Sequence, residues 1–312
     1  MIKVCFIGAC GHCSSAFNHL KTRKDIEFCG FAVGSQHENG DAAFTEMPHF
    51  DNYITMLDLV KPNLAVVSPV FGLTGSVIIE CAKRGVDVFA EKPIASSLEE
   101  LERVKNIIAE SGIKFCAMHY LRFNPAFYHA AKLVRNGKIG KLQMITAQKS
   151  YKYGIRPVWY SDPELYGGTI PWVGIHAIDW VSHFSGKRFI SVTAQSIGEN
   201  PEMAALCQFE LEDNIIASVN IDYYRPKTAP THDDDRIRCV GTQGVLEVCG
   251  GKITLINEEG CKEEVPNTAP NLLSEFLDNR EPISVQEILH ITEAAISAKE
   301  SAKKQIKLSI GG

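Results

Sequence analysis

Val86-Asp87-Val88-Phe89-Ala90-Glu91-Lys92-Pro93 is a short apolar strand that runs into a charged tripeptide. An amphipathic segment precedes it, with Leu73, Val77 and Cys81 on one helical face and Gly85 ending the pattern. A helix feeding a buried strand is half of a β-α-β unit, and such units build parallel sheets. Ligands of open α/β sheets bind outside the carboxyl ends of the strands. Lys92 is therefore expected as a cation at a ligand crevice, tethered by Pro93 through a peptide bond that is open to the cis form. The plainer alternative is a strand that ends at solvent with a lysine.

The same alternation extends in both directions. Residues 3–7, 27–33, 64–67 and 114–118 read as further strands, and residues 14–23, 72–84 and 98–111 as helices. The last of these helices opens on a capping box, Ser97 with Glu100, and carries a stripe of Leu101, Val104 and Ile108. After a helix over 125–136 the period changes from 3.6 to 2. Ala205, Cys207, Phe209 and Leu211 alternate with polar residues, and so do Ile215, Ala217, Val219 and Ile221. Glu212-Asp213-Asn214 turns the chain between the two runs, which makes a hairpin with one wet face. Residues 236–240 and 244–248 are expected to extend it. Ile288, Ile291, Ala295, Ala298 and Ala302 stripe a long closing helix, and residues 306–310 form a last strand. The expected class is α/β: a doubly wound parallel sheet over residues 1–120, then a second α/β domain over 121–312 with an open, largely antiparallel sheet.

A chain of 312 residues suits two domains. The formal charge of −5 disfavours a nucleic-acid partner, which needs a basic face. No apolar run reaches the ~20 residues that cross a bilayer. The ten cysteines follow no disulfide-framework spacing, which fits a reducing cytoplasm.

Gly8-Ala9-Cys10-Gly11-His12-Cys13 follows the first strand and opens a helix. Free N–H groups and the helix dipole favour a dinucleotide phosphate there. In the G-x-G-x-x-G pattern, Cys10 takes the second glycine position and Cys13 the third. Cys10 and Cys13 also form a C-x-x-C at a helix start, so they are either a redox pair or two small residues filling a nucleotide loop. Ser35 stands where an acidic residue would take the ribose 2′-hydroxyl, and the choice between NAD and NADP stays open.

These residues, in order, resemble the Gfo/Idh/MocA (glucose–fructose oxidoreductase/inositol dehydrogenase) family. The likeness includes Lys61-Pro62-Asn63 before Val66-Val67-Ser68-Pro69, then Glu91-Lys92-Pro93, Leu121-Arg122-Phe123-Asn124-Pro125, Gly167-Gly168, His176 with Asp179, and Gly241-Thr242-Gln243-Gly244. It implies an N-terminal Rossmann domain and an NAD(P)-dependent oxidoreductase acting on a sugar, cyclitol or related small hydroxy compound. It also implies a homo-oligomer, dimer or tetramer, formed through the C-terminal sheet. The implied cofactor contacts are Gly8, Cys10, Gly11, His12, Cys13, Ser35, Ser68, Pro69, Glu91, Lys92 and Pro93. Four residues before His176 the family commonly has an Asp, and this chain has Trp172, which can stack on a sugar ring or simply fill space.

Oxidising an alcohol requires a base for the hydroxyl proton, and the cofactor takes the hydride. Lys92 and His176 are the catalytic candidates, with the imidazole as base and the ammonium polarising the substrate oxygen. Their convergence beside the cofactor is the geometric expectation. His119, Arg122, Tyr153, Trp159, Trp172, His176 and Tyr223 are the candidate substrate contacts. Arg122 either grips an anionic group or makes an interdomain ion pair. Tyr151, Tyr153, Arg156, Trp159 and Tyr160 form an aromatic, basic stretch suited to carbohydrate. His232-Asp233-Asp234-Asp235 reads as a solvated turn, and no metal site is expected. Two other functions fit the residues: a non-catalytic nucleotide-binding sensor or partner protein, and an NAD-retaining lyase or glycosidase.

Overall fold

The computed structural model describes residues 1–38, 44–45 and 47–311, which fall into two compact units. The first comprises 1–118, 162–167 and 272–292, and the second 119–161, 168–271 and 293–312.

In the first unit the chain runs β1 (Ile2–Ile7), α1 (Cys13–Leu20), β2 (Ile26–Ala32), β3 (His49–Phe50), α2 (Tyr53–Val60), β4 (Leu64–Val67), α3 (Thr74–Ala82), β5 (Asp87–Ala90), α4 (Leu98–Ser111) and β6 (Phe115–Ala117). All six strands are parallel, in the order β3-β2-β1-β4-β5-β6. That is the Rossmann order, and its reversal between β1 and β4 marks the ligand crevice. β4 is buried along its whole length, as expected of a strand covered on both faces. Phe6, Phe17, Phe28, Phe31 and Phe44 form an aromatic cluster, with Phe31 stacked on Phe44 at 4.8 Å between centroids. The capping box on α4 is half as expected. Ser97 Oγ accepts the Glu100 N–H at 3.2 Å, whereas the Glu100 carboxylate takes the N–H and hydroxyl of Ser96 at 2.8 and 2.9 Å.

The chain continues through α5 (Pro125–Arg135), β7 (Leu142–Tyr151), α6 (Pro163–Tyr166, in the first unit), α7 (Ile175–Ser185), β8 (Phe189–Ile197), β9 (Ala204–Leu211), β10 (Ile216–Asp222), β11 (Asp233–Gly241), β12 (Gly244–Cys249), β13 (Lys252–Asn257), β14 (Gly260–Glu264), α8 (Leu272–Leu277, in the first unit), α9 (Val285–Lys304) and β15 (Leu308–Ser309). A nine-stranded sheet of order β14-β13-β12-β11-β7-β10-β9-β8-β15 fills the second unit. Its pairings are antiparallel except for β7 with β10.

Two expectations about this sheet need correction. β11 does not extend the β9–β10 hairpin, because β7 lies between β10 and β11. The Asp233-Asp234-Asp235 run is the start of β11 and not a solvated turn. The two errors share a cause. Lys149 is fully buried in β7, so a charged residue holds an inward position and blurs the period of 2. Its counter-charge is Asp235, at 2.5 Å across the β7–β11 ladder.

Candidate active site

Parallel strands place every βα turn of the first unit at one edge of its sheet, and the cofactor candidates all sit there. β1 delivers Gly8 with φ +79°, and a Cβ at Gly8 would strike the Ser68 carbonyl oxygen and Pro69. Only glycine lets the two turns approach so closely. Cys10 N donates to Ser68 O at 2.8 Å, and Ser68 Oγ donates to Cys10 O at 2.5 Å. The loop therefore stays clamped although Cys10 and Cys13 replace two glycines. Gly11 takes φ +59°, and the N–H groups of Ala9 and Gly11 have no protein partner among the described residues. Glycines in left-handed conformation, free N–H groups and the start of α1 together fit a dinucleotide pyrophosphate.

Cys13 Sγ donates to Gly8 O at 3.5 Å. Burial, with Glu38 and Glu91 nearby, pushes the Cys10 thiol up to about 12. A reactive C-x-x-C needs the opposite shift. Of the two readings of this pair, the geometry favours loop-filling.

Glu91 and Lys92 leave β5 fully buried, with the Lys92-Pro93 peptide cis. The Glu91 carboxylate accepts the His12 N–H at 2.7 Å, lies 3.0 Å from His12 Nδ1, and accepts the Lys92 N–H at 3.1 Å. Lys92 Nζ is 3.8 Å from Glu91 Oε1. Burial alone would raise the Glu91 carboxyl, but His12 and Lys92 hold it below the ordinary range. Glu91 thus supplies the anion beside Lys92.

At the end of β2, Ser35 Oγ donates to Glu38 Oε1 at 3.4 Å. The same carboxylate accepts Gly34 N–H at 3.2 Å and Val70 N–H at 3.0 Å. Burial pushes it up, and these hydrogen bonds oppose the shift. A carboxylate thus stands three positions after Ser35, folded back onto the turn. The signal in the sequence was an acid just beyond the expected site.

In the second unit, a wider π-helical turn over Ile170–Gly174 leads directly into α7. Such turns recur at functional sites. Gly174 packs so closely on Ile221 of β10 that a Cβ would collide with it. His176 is 2% exposed and Trp172 8%. One turn on, buried Asp179 accepts from Arg122 Nη2 at 2.5 Å and from Nε at 3.1 Å, with His119 Nδ1 at 3.4 Å. Burial pushes the Asp179 carboxyl up, and Arg122 opposes it. Arg122 and Asp179 belong to the same unit.

Tyr153 meets Tyr223 edge-on at 5.2 Å, and Trp159 packs on Tyr160 at 4.5 Å. Behind them Lys149 lies 4.4 Å from the Tyr151 ring centroid and 5.3 Å from that of Trp180. Burial lowers the Lys149 ammonium and raises Asp235 to about 6, each partner partly restoring the other. Sequence reading missed this pair because its members stand 86 positions apart. Among the described residues no group of three or more His, Cys, Asp or Glu side chains is arranged to hold a metal ion.

Comparison with known proteins adds an independent line. Residues 2–119 match the oxidoreductase family model with an NAD-binding Rossmann fold, and residues 127–247 match the GFO/IDH/MocA C-terminal domain. A solved structure of a candidate oxidoreductase from Thermotoga maritima is similar at 36% identity and a TM-score of 0.94, over 99% of this chain and 100% of that one. The scyllo-inositol 2-dehydrogenase (NAD(+)) of Bacillus subtilis is 27% identical over 209 residues, 63% of this chain and 57% of its own length. The 2,7-anhydro-N-acetylneuraminate hydratase of Mediterraneibacter gnavus is 26% identical over 197 residues, 58% of this chain and 51% of its own length. The chain spans about half the length of these two curated relatives. With both domain models matched in sequence order and a full-length structural relative at 36% identity, the chain belongs to the GFO/IDH/MocA oxidoreductase family.

Proposed function

We propose that the protein is an NAD(P)-dependent dehydrogenase that oxidises a CH–OH group of a sugar, cyclitol or similar polyol. The observation that carries this reading is buried Lys92, balanced by Glu91, on the sheet edge that also bears the glycine loop. A bound nicotinamide supplies the hydride acceptor. Lys92 polarises the substrate oxygen with its ammonium, and His176 takes the hydroxyl proton onto its imidazole. Trp172 has no basic atom and cannot share that task.

Within this reading the nucleotide is NAD. A carboxylate at the end of the second strand hydrogen-bonds ribose hydroxyls and repels a 2′-phosphate, and Glu38 supplies one. The outer face of the second sheet supports a homo-oligomer. It exposes Met144, Leu206 and Ile216 and carries a cleft of about 300 Å³. Disruption of the assembly by Ile216→Lys, read by light scattering, tests this, and an unchanged mass argues against it. No helix among the described residues is long and apolar enough to cross a membrane. All ten cysteines are free, which supports a reducing, cytoplasmic setting.

A second reading follows from the hydratase relative: an enzyme whose cofactor ends each turnover unchanged. Incubation with NAD and a panel of polyols, following both cofactor absorbance and substrate loss, separates the possibilities. Reduced cofactor accumulating with one substrate supports the dehydrogenase. Substrate loss without net reduction supports the second reading, and cofactor binding with neither supports a non-catalytic sensor.

A further inference from the structure

The segment between β7 and α6 carries a cation with no ion-pair partner among the described residues. The Arg156 guanidinium carbon lies 5.8 Å from the Tyr153 ring centroid, 5.2 Å from Tyr160 and 5.6 Å from Tyr223. These distances suit cation–π contact on three sides. The side chain is half-buried, and its Nε is a buried donor without an acceptor. Its polar contact is a 3.4 Å hydrogen bond from Nη2 to the Lys152 carbonyl. Among the described residues no carboxylate lies within ion-pair distance of it.

Other arginines show how unusual this is for the fold. Among the described residues Arg103, Arg135 and Arg188 also lack a carboxylate partner, but they stand exposed, where water serves them. Buried Arg122 has Asp179. Arg156 alone among the described arginines combines partial burial with the lack of a carboxylate partner. A desolvated, unmatched donor is costly, so its retention calls for a ligand that completes it.

The surrounding charges do not fill the gap. Asp235 and Asp233 face Lys149 at 2.5 and 3.7 Å, and Asp234 faces Arg236 at 2.8 Å and Arg225 at 3.5 Å. The nearby lysines are occupied as well: Lys149 by Asp235, and Lys152 by the carbonyls of Lys227 and Ala229. One planar guanidinium without an acidic partner matches one carboxylate, whereas a phosphate dianion draws on several cations. Of the rings around it, half-buried Tyr153 offers an apolar face for the C–H side of a sugar.

We propose that Arg156 receives a carboxylate of the substrate, so that the substrate class is a sugar acid and not a neutral sugar or cyclitol. This deepens the dehydrogenase reading and rests on it for the word substrate. Titration calorimetry of the NAD-loaded protein with D-gluconate, D-glucuronate, D-glucose, myo-inositol and D-glucose 6-phosphate tests it, using wild type, Arg156→Lys and Arg156→Gln. An acid is expected to bind at least about tenfold more tightly than its neutral counterpart. Arg156→Gln should erase that preference, a loss of about 10- to 100-fold in acid affinity, and Arg156→Lys should keep part of it. Arg156→Lys, which keeps the charge among the tyrosines, also serves if the glutamine variant misfolds. No preference for acids, a preference that survives both substitutions, or tighter binding of the phosphate ester would overturn the proposal. Turnover measured in parallel separates the two claims. Arg156-dependent acid binding without oxidation removes the dehydrogenase reading alone, and oxidation of neutral polyols without acid preference removes the carboxylate alone.

Discussion

The two units handle buried charge differently. At the carboxyl edge of the parallel sheet, strand-end turns converge, and backbone N–H groups help to hold the buried charge. Glu91 meets its own neighbour Lys92 and the loop residue His12, and the loop is held by backbone contacts of Gly8, Cys10 and Ser68. In the second unit the charges are side-chain pairs that span the chain, Arg122 with Asp179 and Lys149 with Asp235. A turn at a strand end can be built from local sequence and a glycine. A strand or helix packed on both sides admits a charge only if a partner from elsewhere neutralises it. The comparison predicts that substitutions at the glycine loop and at Glu38 act mainly on cofactor affinity, and those at His176 and Arg122 on chemistry and stability.

The largest effect should break that division or establish it. His176→Ala is expected to lose about 10²- to 10⁴-fold in kcat while cofactor affinity, read by fluorescence titration, stays near wild type. Near-normal turnover, or a parallel loss of cofactor binding, would reject the assignment. Next comes Arg122→Met, which leaves Asp179 buried without its guanidinium partner. It should cost about 3–5 kcal/mol in denaturant unfolding, and Arg122→Met with Asp179→Leu should recover most of that. If the single variant costs no more than a surface substitution, the contrast between the units fails.

Glu38→Ala should shift cofactor choice. The ratio of NAD to NADP affinity is expected to fall about 10-fold or more, in line with the loss of charge-assisted hydrogen bonds and of repulsion against a 2′-phosphate. An unchanged ratio would remove Glu38 from the ribose site.

The smallest effect concerns pH. His183 is buried, stacks on Tyr128, and has Arg122, Arg135 and Lys132 nearby. Burial first, and those cations second, hold its pKa well below the ordinary value. The unfolded chain therefore takes up the proton near pH 6.5 while the folded chain does not. Stability contributed by neutral His183 is complete above pH 6.5 and declines as pH falls toward the folded value. The slope is at most about 1.4 kcal/mol per pH unit. His183→Phe should flatten the dependence of Tm on pH between 7.5 and 5.5. An unaltered slope would place the acid sensitivity elsewhere, for instance at Glu91, whose lowered carboxyl loses its contribution only at more acidic pH.

Much was legible in the sequence because it is written in short-range periodicity. Strand–helix alternation foretold the parallel sheet. Alternation over β9 and β10 foretold their hairpin, and the stripe from Ile288 to Ala302 marked α9, where all five striped residues are buried. The Glu91-Lys92-Pro93 turn was recognisable because a charge directly after an apolar strand stands out locally. β7 was not, since its buried Lys149 makes sense only beside Asp235. Glu38 escaped for a related reason: its carboxylate reaches the turn by folding back onto Gly34 and Val70.

Chain order alone determined the class of each unit, the elements that carry the candidate site, and the identity of the residues at the turns, because hydrophobic period and glycine placement are local properties. Which charge neutralises which, which strand lies between β10 and β11, and which arginine is left unmatched were decided only by the tertiary structure. Those outcomes depend on Coulomb partners and ladder neighbours tens of residues apart, and no window of sequence contains both members of such a pair.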